Sequence, residues 1–494
     1  TNIHTGERTI MLFGKKKQDE NEEVKDKKLM GADEETTEKA ALHRAEGAGE
    51  SAEGQETEEG FAMGIRALYT LQDTEDLVVV GRVEGTVRVG DAVYISNPGE
   101  DDSYQFVTTV LGIETGPNTR VKEASGCQAA LRVERASRYQ TKPGSVVSTR
   151  SRSKKSVHQA YITALGDAYV TGKKLELTDK DAEFLSLTDC AELWSLFVWF
   201  HTRVVKEESE EVVKENKAKL EKLAKIISRK LLEAEVIYCV YSKATGEPFL
   251  FSKTVARKDG SYMCMPPAIR LITRAYKETL SARFPEDKFE IREISCGADK
   301  NGIKNFLGES FYLDGACGVQ LINEQVSLAA GMLVNKPDYS HLPEMERPVM
   351  NPDLERWLLL IGQMEQTESE DSKTVYKVYY RFLAKEMVKA RLLVPTKVDG
   401  EIPKPDADGK TVIPKGVTLS FPTVPGKKDR PAVRMYTDWK RLKQGMKDDT
   451  DWQGNIQTVR GMIEKFDCAI NLTEHVKAGC YVSDELFEHM KNMQ

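Results

Sequence analysis

Leu232-Glu233-Ala234-Glu235-Val236-Ile237-Tyr238 and Val388-Lys389-Ala390-Arg391-Leu392-Leu393-Val394 share one layout. Each closes a run of helical periodicity and passes at once into apolar, strand-like sequence. Two further pairs follow in the same order. Pro267-Ala268-Ile269-Arg270-Leu271-Ile272-Thr273 matches Pro431-Ala432-Val433-Arg434-Met435-Tyr436-Thr437, and Cys317-Gly318-Val319-Gln320-Leu321 matches Cys468-Ala469-Ile470-Asn471-Leu472. The offsets are 156, 164 and 151 residues, so the second half of the chain reads as one unit used twice. Each unit is predicted to run helix, strand, variable loop, strand, Thr-initiated helix, strand, which gives an α+β or α/β domain of helices over a local sheet. The Pro-rich insert 399–428 is expected to be an extended loop between strands.

Toward the N-terminus a different pattern takes over at Phe61. Leu77, Val79, Gly81 and Val83 alternate with other residues, as do Val87, Val89, Val93 and Ile95. A period of two marks half-buried strands, and Gly85 and Gly90-Asp91 supply the tight turns between them. Further strand-like runs cover Phe106–Ile113, Gln128–Val133 and Ser145–Thr149. So many short strands with no helical stretch predict a small closed β-barrel.

The run Val79-Val80-Gly81-Arg82-Val83-Glu84-Gly85, followed by Val87-Arg88-Val89-Gly90-Asp91, resembles domain 2 of elongation factor Tu and other translational GTPases. The resemblance continues through Gly112-Ile113-Glu114, Glu123-Ala124, Leu131-Arg132-Val133-Glu134-Arg135 and Pro143-Gly144-Ser145-Val146-Val147, and covers roughly residues 61–150. It implies a barrel that carries no chemistry, packs on a GTPase domain and helps bind aminoacyl-tRNA, ribosomal RNA or protein partners. No GxxxxGK[ST] occurs in the sequence, so no phosphate-cradling loop accompanies the barrel and GTP is not expected as a ligand. Asn335-Lys336-Pro337-Asp338 and Asp406-Ala407-Asp408-Gly409 match guanine- and phosphate-site patterns by letter alone.

The second repeat resembles the enhanced serine sensitivity (SseB) family. The resemblance rests on Asn351-Pro352-Asp353-Leu354, the junction Ala390-Arg391-Leu392-Leu393-Val394-Pro395, and Met435-Tyr436-Thr437-Asp438-Trp439. In that family a helix delivers the chain to a "vP" strand, and an "[FY]T" strand end opens the next helix. Asn471-Leu472 departs from the Asn-Pro that many members carry, which puts any carried-over role there in doubt. The resemblance reaches residues 220–340 mainly through the internal repeat, and it implies a fold rather than a reaction.

All of the net charge sits in one place. The segment 15–59 holds 15 acidic and 8 basic residues, an excess equal to the chain's formal −7, so the remainder is neutral. Almost without large apolar residues, residues 1–60 cannot offset their chain entropy and are expected to be a disordered acidic tail. Met11-Leu12-Phe13-Gly14-Lys15-Lys16-Lys17 looks like a start, which makes residues 1–10 an expected upstream extension. A neutral body gives no electrostatic drive toward nucleic acid. Arg150–Ser156 is the one basic, Ser-rich stretch, with a solvated linker as its plainer reading. The 8 cysteines include no CxxC, and with dispersed histidines they offer no metal-ligand spacing, so reduced thiols are expected and neither metal nor cofactor. No signal sequence or membrane span is read, and a cytoplasmic protein is expected.

Candidate functional residues are few. Arg270 and Arg434 stand between apolar neighbours, just before Thr273 and Thr437, and alternation turns them away from Ile269/Leu271 and Val433/Met435. The four residues form a candidate recognition face for a carboxylate or phosphate; solvated or internally paired arginines are the plainer reading. Thr273 and Thr437 also suit N-cap positions. His201, at the edge of the aromatic run Leu193–His201, reads as a buried, hydrogen-bonded histidine. His475 and His489 lack a nucleophile or orienting carboxylate, and Cys317 and Cys468 read as small buried residues. The amphipathic run from Glu207 to Leu232 packs on its own sheet or offers a coiled-coil surface, with the sheet as the plainer reading.

These readings converge on a multidomain α+β chain: tail 1–60, translation-factor-type barrel 61–150, first SseB-like module 157–345 and second module 350–494. The expected function is a non-catalytic, cytoplasmic interaction or adaptor protein with protein partners, linked to the translation apparatus through the barrel. Two rivals stay open. One is an amino-acid or small-carboxylate sensor or enzyme with a pocket between the repeats; the other is an RNA-binding accessory factor using the barrel and Arg150–Ser156.

Overall fold

Alternation in the first third of the chain resolves into an eight-stranded sheet and a separate two-stranded pair. The strands are β1 (Ala62–Gly64), β2 (Ala67–Thr70), β3 (Leu77–Arg82), β4 (Thr86–Arg88), β5 (Ala92–Ser96), β6 (Gln105–Gly116), β7 (Thr119–Val121), β8 (Glu123–Ser125), β9 (Gln128–Val133) and β10 (Val146–Ser148). The sheet order is β1-β10-β5-β6-β9-β3-β2, with β7 on β6 and β4 paired with β8. Because β1 and β2 are separated only by Ile65-Arg66, both ends of the strand order belong to one stretch of chain, and the Ala62–Glu84 bridge brings β1 back beside the chain leaving β3. Leu77, Val79, Val93, Ile95, Val110, Ile113, Leu131 and Val133 fill its interior. Val89 breaks the expected alternation. It lies beyond the end of β4 and is exposed, because the chain turns at Gly90, whose φ is 96°.

The computed structural model describes residues 60–96, 105–136, 141, 143–149, 154–166, 185–203, 209–321, 326–343, 346–365, 369–401, 414–426, 430–447, 451–472 and 478–492. The acidic tail up to residue 59, residues 402–413 and 427–428 of the Pro-rich insert, and His475 lie outside these residues.

Lys154–Ser156, read as linker, instead open helix α1 (Lys154–Leu165). This helix lies directly on β1. A Cβ placed on Gly64 would fall 2.3 Å from the Ala160 carbonyl oxygen and 2.3 Å from the Ala164 Cβ, so only glycine permits the approach. Ala62 and Val146 of the barrel thereby join the same apolar core as Tyr161 and the two modules C-terminal to it.

The first module comprises α2 (Leu187–Arg203), α3 (Glu210–Glu233), β11 (Val236–Ser242), β12 (Leu250–Phe251), the hairpin β13 (Thr254–Ala256) and β14 (Tyr262–Cys264), β15 (Ala268–Ile272), α4 (Lys277–Ser281), β16 (Phe289–Ser295), α5 (Gly302–Tyr312), β17 (Gly318–Leu321), β18 (Val326–Ala329) and α6 (Ala330–Leu333). The second comprises α7 (Pro352–Gln363), α8 (Glu370–Lys389), β19 (Arg391–Asp399), β20 (Thr418–Ser420), β21 (Thr423–Pro425), β22 (Pro431–Met435), α9 (Trp439–Gly445), β23 (Gln453–Thr458), α10 (Val459–Ile463), β24 (Asp467–Ile470), β25 (Cys480–Val482) and α11 (Asp484–Asn492). The Pro-rich insert is thus not wholly a loop, since β20 and β21 fall within it.

The duplication read from the sequence is present in the topology. The first sheet runs β16-β11-β15-β17-β18, with β12 on β15. In the second, β23 pairs β19, β19 reaches β22 through the Leu393–Tyr436 bridge, and β22-β24-β25 complete the same order, with β21 in the place of β12. In both, the central pair is parallel and every other pairing is antiparallel. Helix-to-strand junctions coincide closely: Ala234 has φ −62° and ψ 140°, and Ala390 has φ −64° and ψ 140°. One of the three sequence matches is out of register. Cys468 pairs with Val433 and so stands where Val319 stands opposite Ile269, whereas Cys317 precedes β17 and bonds to the Pro267 carbonyl.

The amphipathic run before the first sheet is α3, and it buries Leu220, Leu223, Ile227 and Leu231 against its own module. From Glu59 onward the chain forms one compact unit. Among the described residues no helix is long and apolar enough to cross a membrane.

Candidate functional site

The four residues singled out by the repeat occupy matching places, yet their surroundings differ. Arg270 and Arg434 are the half-buried residues of β15 and β22, between buried apolar neighbours as alternation requires. The Arg270 guanidinium lies 4.0 Å from the ring centre of Phe251 and 5.7 Å from that of Phe284. Such stacking engages a cation on aromatic faces. Beside Arg434, burial raises the pKa of the Tyr436 hydroxyl against the pull of that arginine. Each arginine is therefore engaged within its own module.

Thr273 is the N-cap of a 3-10 turn, Arg274–Tyr276, but makes no side-chain capping bond. Its hydroxyl instead accepts from Thr188 at 3.1 Å. At the other site Asp438, one residue later than expected, caps α9 by accepting from the Arg441 amide at 2.9 Å. Thr437 is fully buried; its hydroxyl lies 2.9 Å from Glu355 Oε2 and accepts from Asn471 Nδ2 at 3.0 Å.

Around Thr437 the structure brings together charges that the sequence did not single out. Arg441, with no side-chain exposure, approaches Glu355 at 2.9 Å, Asp438 at 2.7 Å and Asp314 at 2.7 Å. Lys440 adds contacts of 3.1 Å to Glu247 and 3.4 Å to Asp314. Asn471, in the left-handed region at φ 51°, donates to Glu355 at 2.8 Å. Glu247 and Asp314 come from the first module and the remainder from the second, so this network is the polar seam between them.

Four carboxylates face two cations here, and burial decides the balance. It pushes the Glu355 carboxyl up to about 7, against the pull of Arg441, while Asp438 pushes further upward. Burial, then Asp314, raises Glu247 as well. For Arg441 burial opposes the charge, but Glu355, Asp314, Asp438 and Glu247 outweigh it and keep the guanidinium ionised. Removing one partner from such a buried set leaves an uncompensated charge, which costs about 3–5 kcal/mol.

An open cleft lies in the first module, at the corresponding end. A cleft of about 320 Å³ is bounded by the start of α2, the last turn of α3, the start of β11 and Thr273-Arg274. Neither Arg270 nor Arg434 lines it.

A third surface belongs to the barrel. On the outside of β6, Val107 is 56% exposed and Leu111 41% exposed, and Tyr69 on β2 is 60% exposed. Val107 sits opposite Tyr94 of β5, and Tyr69, Val78 and Arg132 form one row across β2, β3 and β9.

His201 is buried, and its Nδ1 lies 3.1 Å from Asn216 Nδ2; burial, then Lys217, lowers its pKa. It is the hydrogen-bonded core histidine the sequence suggested. Arg441 was missed because a single arginine in Trp439-Lys440-Arg441-Leu442 looks like any surface helix. Its signal was spacing, three residues after Asp438 and next to Leu442 on a face that must be buried.

No protein-family model matches the chain, and no curated protein sequence matches it. Among solved structures, translation elongation factor SelB from Methanococcus maripaludis is similar at 18% identity and a TM-score of 0.17, both in its apo form and in complex with the GTP analogue GppNHp. The likeness covers 24% of this chain and 24% of SelB, so the chain spans about a quarter of the length of those structures.

Proposed function

We propose that this chain is a non-catalytic, cytoplasmic interaction protein, an adaptor in which a translation-factor-type barrel offers the partner surface and two SseB-like modules form the platform behind it. The observation that carries the reading is the outer face of β6, where Val107 and Leu111 expose large apolar side chains on the barrel. Exposed β-branched and leucine side chains on a rigid sheet present apolar area whose ordering cost is already met, which favours a protein partner over a small ligand. The sequence resemblance of residues 61–150 to domain 2 of elongation factor Tu supports a partner in the translation apparatus.

Co-sedimentation of the full chain with ribosomes and with purified translational GTPases tests this. Binding that is retained at moderate salt and lost in the double variant V107D/L111D is the expected result. Binding that is unchanged in that variant removes the barrel face from the proposal. Affinity that falls steeply with salt and persists with naked ribosomal RNA would replace the adaptor reading with RNA binding.

A further inference from the structure

The duplicated fold supplies its own control for the cleft beside Thr273. In the second module the equivalent space is bridged by the residue preceding α7. Asn351 Nδ2 donates to the Arg391 carbonyl at 2.8 Å and to the Thr437 carbonyl at 2.6 Å, tying helix, strand start and strand end together. In the first module Ser186 holds that position before α2. Its shorter side chain turns back on its own helix: Ser186 Oγ accepts from the Asp189 amide at 3.1 Å, and the Ser186 amide donates to Asp189 Oδ2 at 2.9 Å. With the Ser186 side chain turned back in this capping pair, the first module has only the Thr188–Thr273 hydroxyl bond where Asn351 bridges both strand ends in the second, and the cleft of about 320 Å³ lies beside it.

Charge on its rim is balanced and unspent. Lys230 and Arg274 face the cleft together with Glu233 and Glu235. None of these four side chains is ion-paired among the described residues, although they sit around one opening. Leu187 and Val236 add an apolar wall. A volume near the lower end of the small-molecule range suits a compact ligand. Two cations and two anions line one small cleft, Lys230 and Glu233 on the last turn of α3, Glu235 just beyond it and Arg274 after β15, and together they complement a molecule that carries both a carboxylate and an ammonium group.

We infer that the cleft beside Thr273 is a binding site for a zwitterionic small molecule, an α-amino acid or dipeptide, with its carboxylate toward Lys230 and Arg274 and its ammonium toward Glu233 and Glu235. The site is distinct from the barrel face and stands or falls without it.

Saturation-transfer NMR on the full chain tests this, with the twenty L-amino acids and a set of dipeptides as probes. Each is paired with its N-acetyl and carboxamide analogues. At least one zwitterion is expected to bind, with both analogues weaker by about tenfold or more. S186N introduces the bridging side chain of the second module and is expected to abolish binding while leaving the melting temperature unchanged or raised. R274Q alters an exposed side chain, folds regardless, and is expected to weaken binding about tenfold. Absence of binding by every probe overturns the inference. So does a ligand bound equally by wild type, S186N and R274Q, and so does equal binding of the N-acetyl or carboxamide analogue.

Discussion

Nη2 of Arg441 lies 2.7 Å from Oδ1 of Asp314, and the two residues belong to different copies of the duplicated fold. Both are essentially without solvent exposure, so their attraction is not screened by water and their separation would strand either charge. Replacing Arg441 by methionine keeps the volume and removes the charge, leaving Asp314, Asp438, Glu355 and Glu247 with Lys440 alone, of the two seam cations, to offset them. R441M is expected to lose about 3–5 kcal/mol in urea unfolding. A loss below about 1 kcal/mol, the size of a surface pair, would mean that the seam is solvated in solution.

Acid should stabilise the seam. The Glu355 carboxyl is raised to about 7 in the folded chain, above its ordinary value near 4.5. The folded state therefore holds the proton more tightly, and stability is greatest below pH 4.5 and falls as the pH rises to about 7, where it levels. The span corresponds to about 3 kcal/mol at most. Melting temperatures between pH 5 and 7.5 check the direction, and E355Q should flatten the profile.

Substitution of Gly64 should loosen the barrel from helix α1. G64A places a methyl group 2.3 Å from the Ala160 carbonyl oxygen, and overpacking of this kind costs about 1–3 kcal/mol. Faster amide exchange in α1 without matching change in β3, β6 and β9 is the expected signature. Uniformly faster exchange would point instead to loss of the barrel fold.

Thiol chemistry offers an inexpensive check on the modules. Burial pushes the Cys190 and Cys468 thiols up to about 12, and raises Cys239 further still. At pH 8 these three should resist a disulfide reagent in the native protein, whereas partly exposed Cys127 should react. All 8 thiols should titrate in denaturant. Rapid native labelling of Cys239 would contradict the packing of β11.

How much of the fold and the seam was legible beforehand depends on sequence distance. The barrel strands and the Ala234 and Ala390 junctions are local patterns, a period of two or a helix passing into a strand, so the residues announce them. Arg441 and Asp314 stand 127 positions apart, and their pairing depends on how two finished modules pack. Arg270 and Arg434 were legible as equivalent positions, but the ring that covers Arg270 was not, because Phe251 reaches it through the pairing of β12 with β15. The cleft could be located only by contrast: Ser186 and Asn351 are ordinary letters until the two copies are superposed.

The seam also bears on ancestry and symmetry. Two identical subunits meeting about a twofold axis must each offer the same patch, so every cation–anion contact would occur twice. Here Lys440 and Arg441 come only from the second copy, and Glu247 and Asp314 only from the first. Covalent tandem linkage lifts the demand for self-complementarity and lets each copy specialise, one as key and the other as lock. The halves are consequently no longer interchangeable, and a chain assembled from two second copies would lack the acidic half of its own joint.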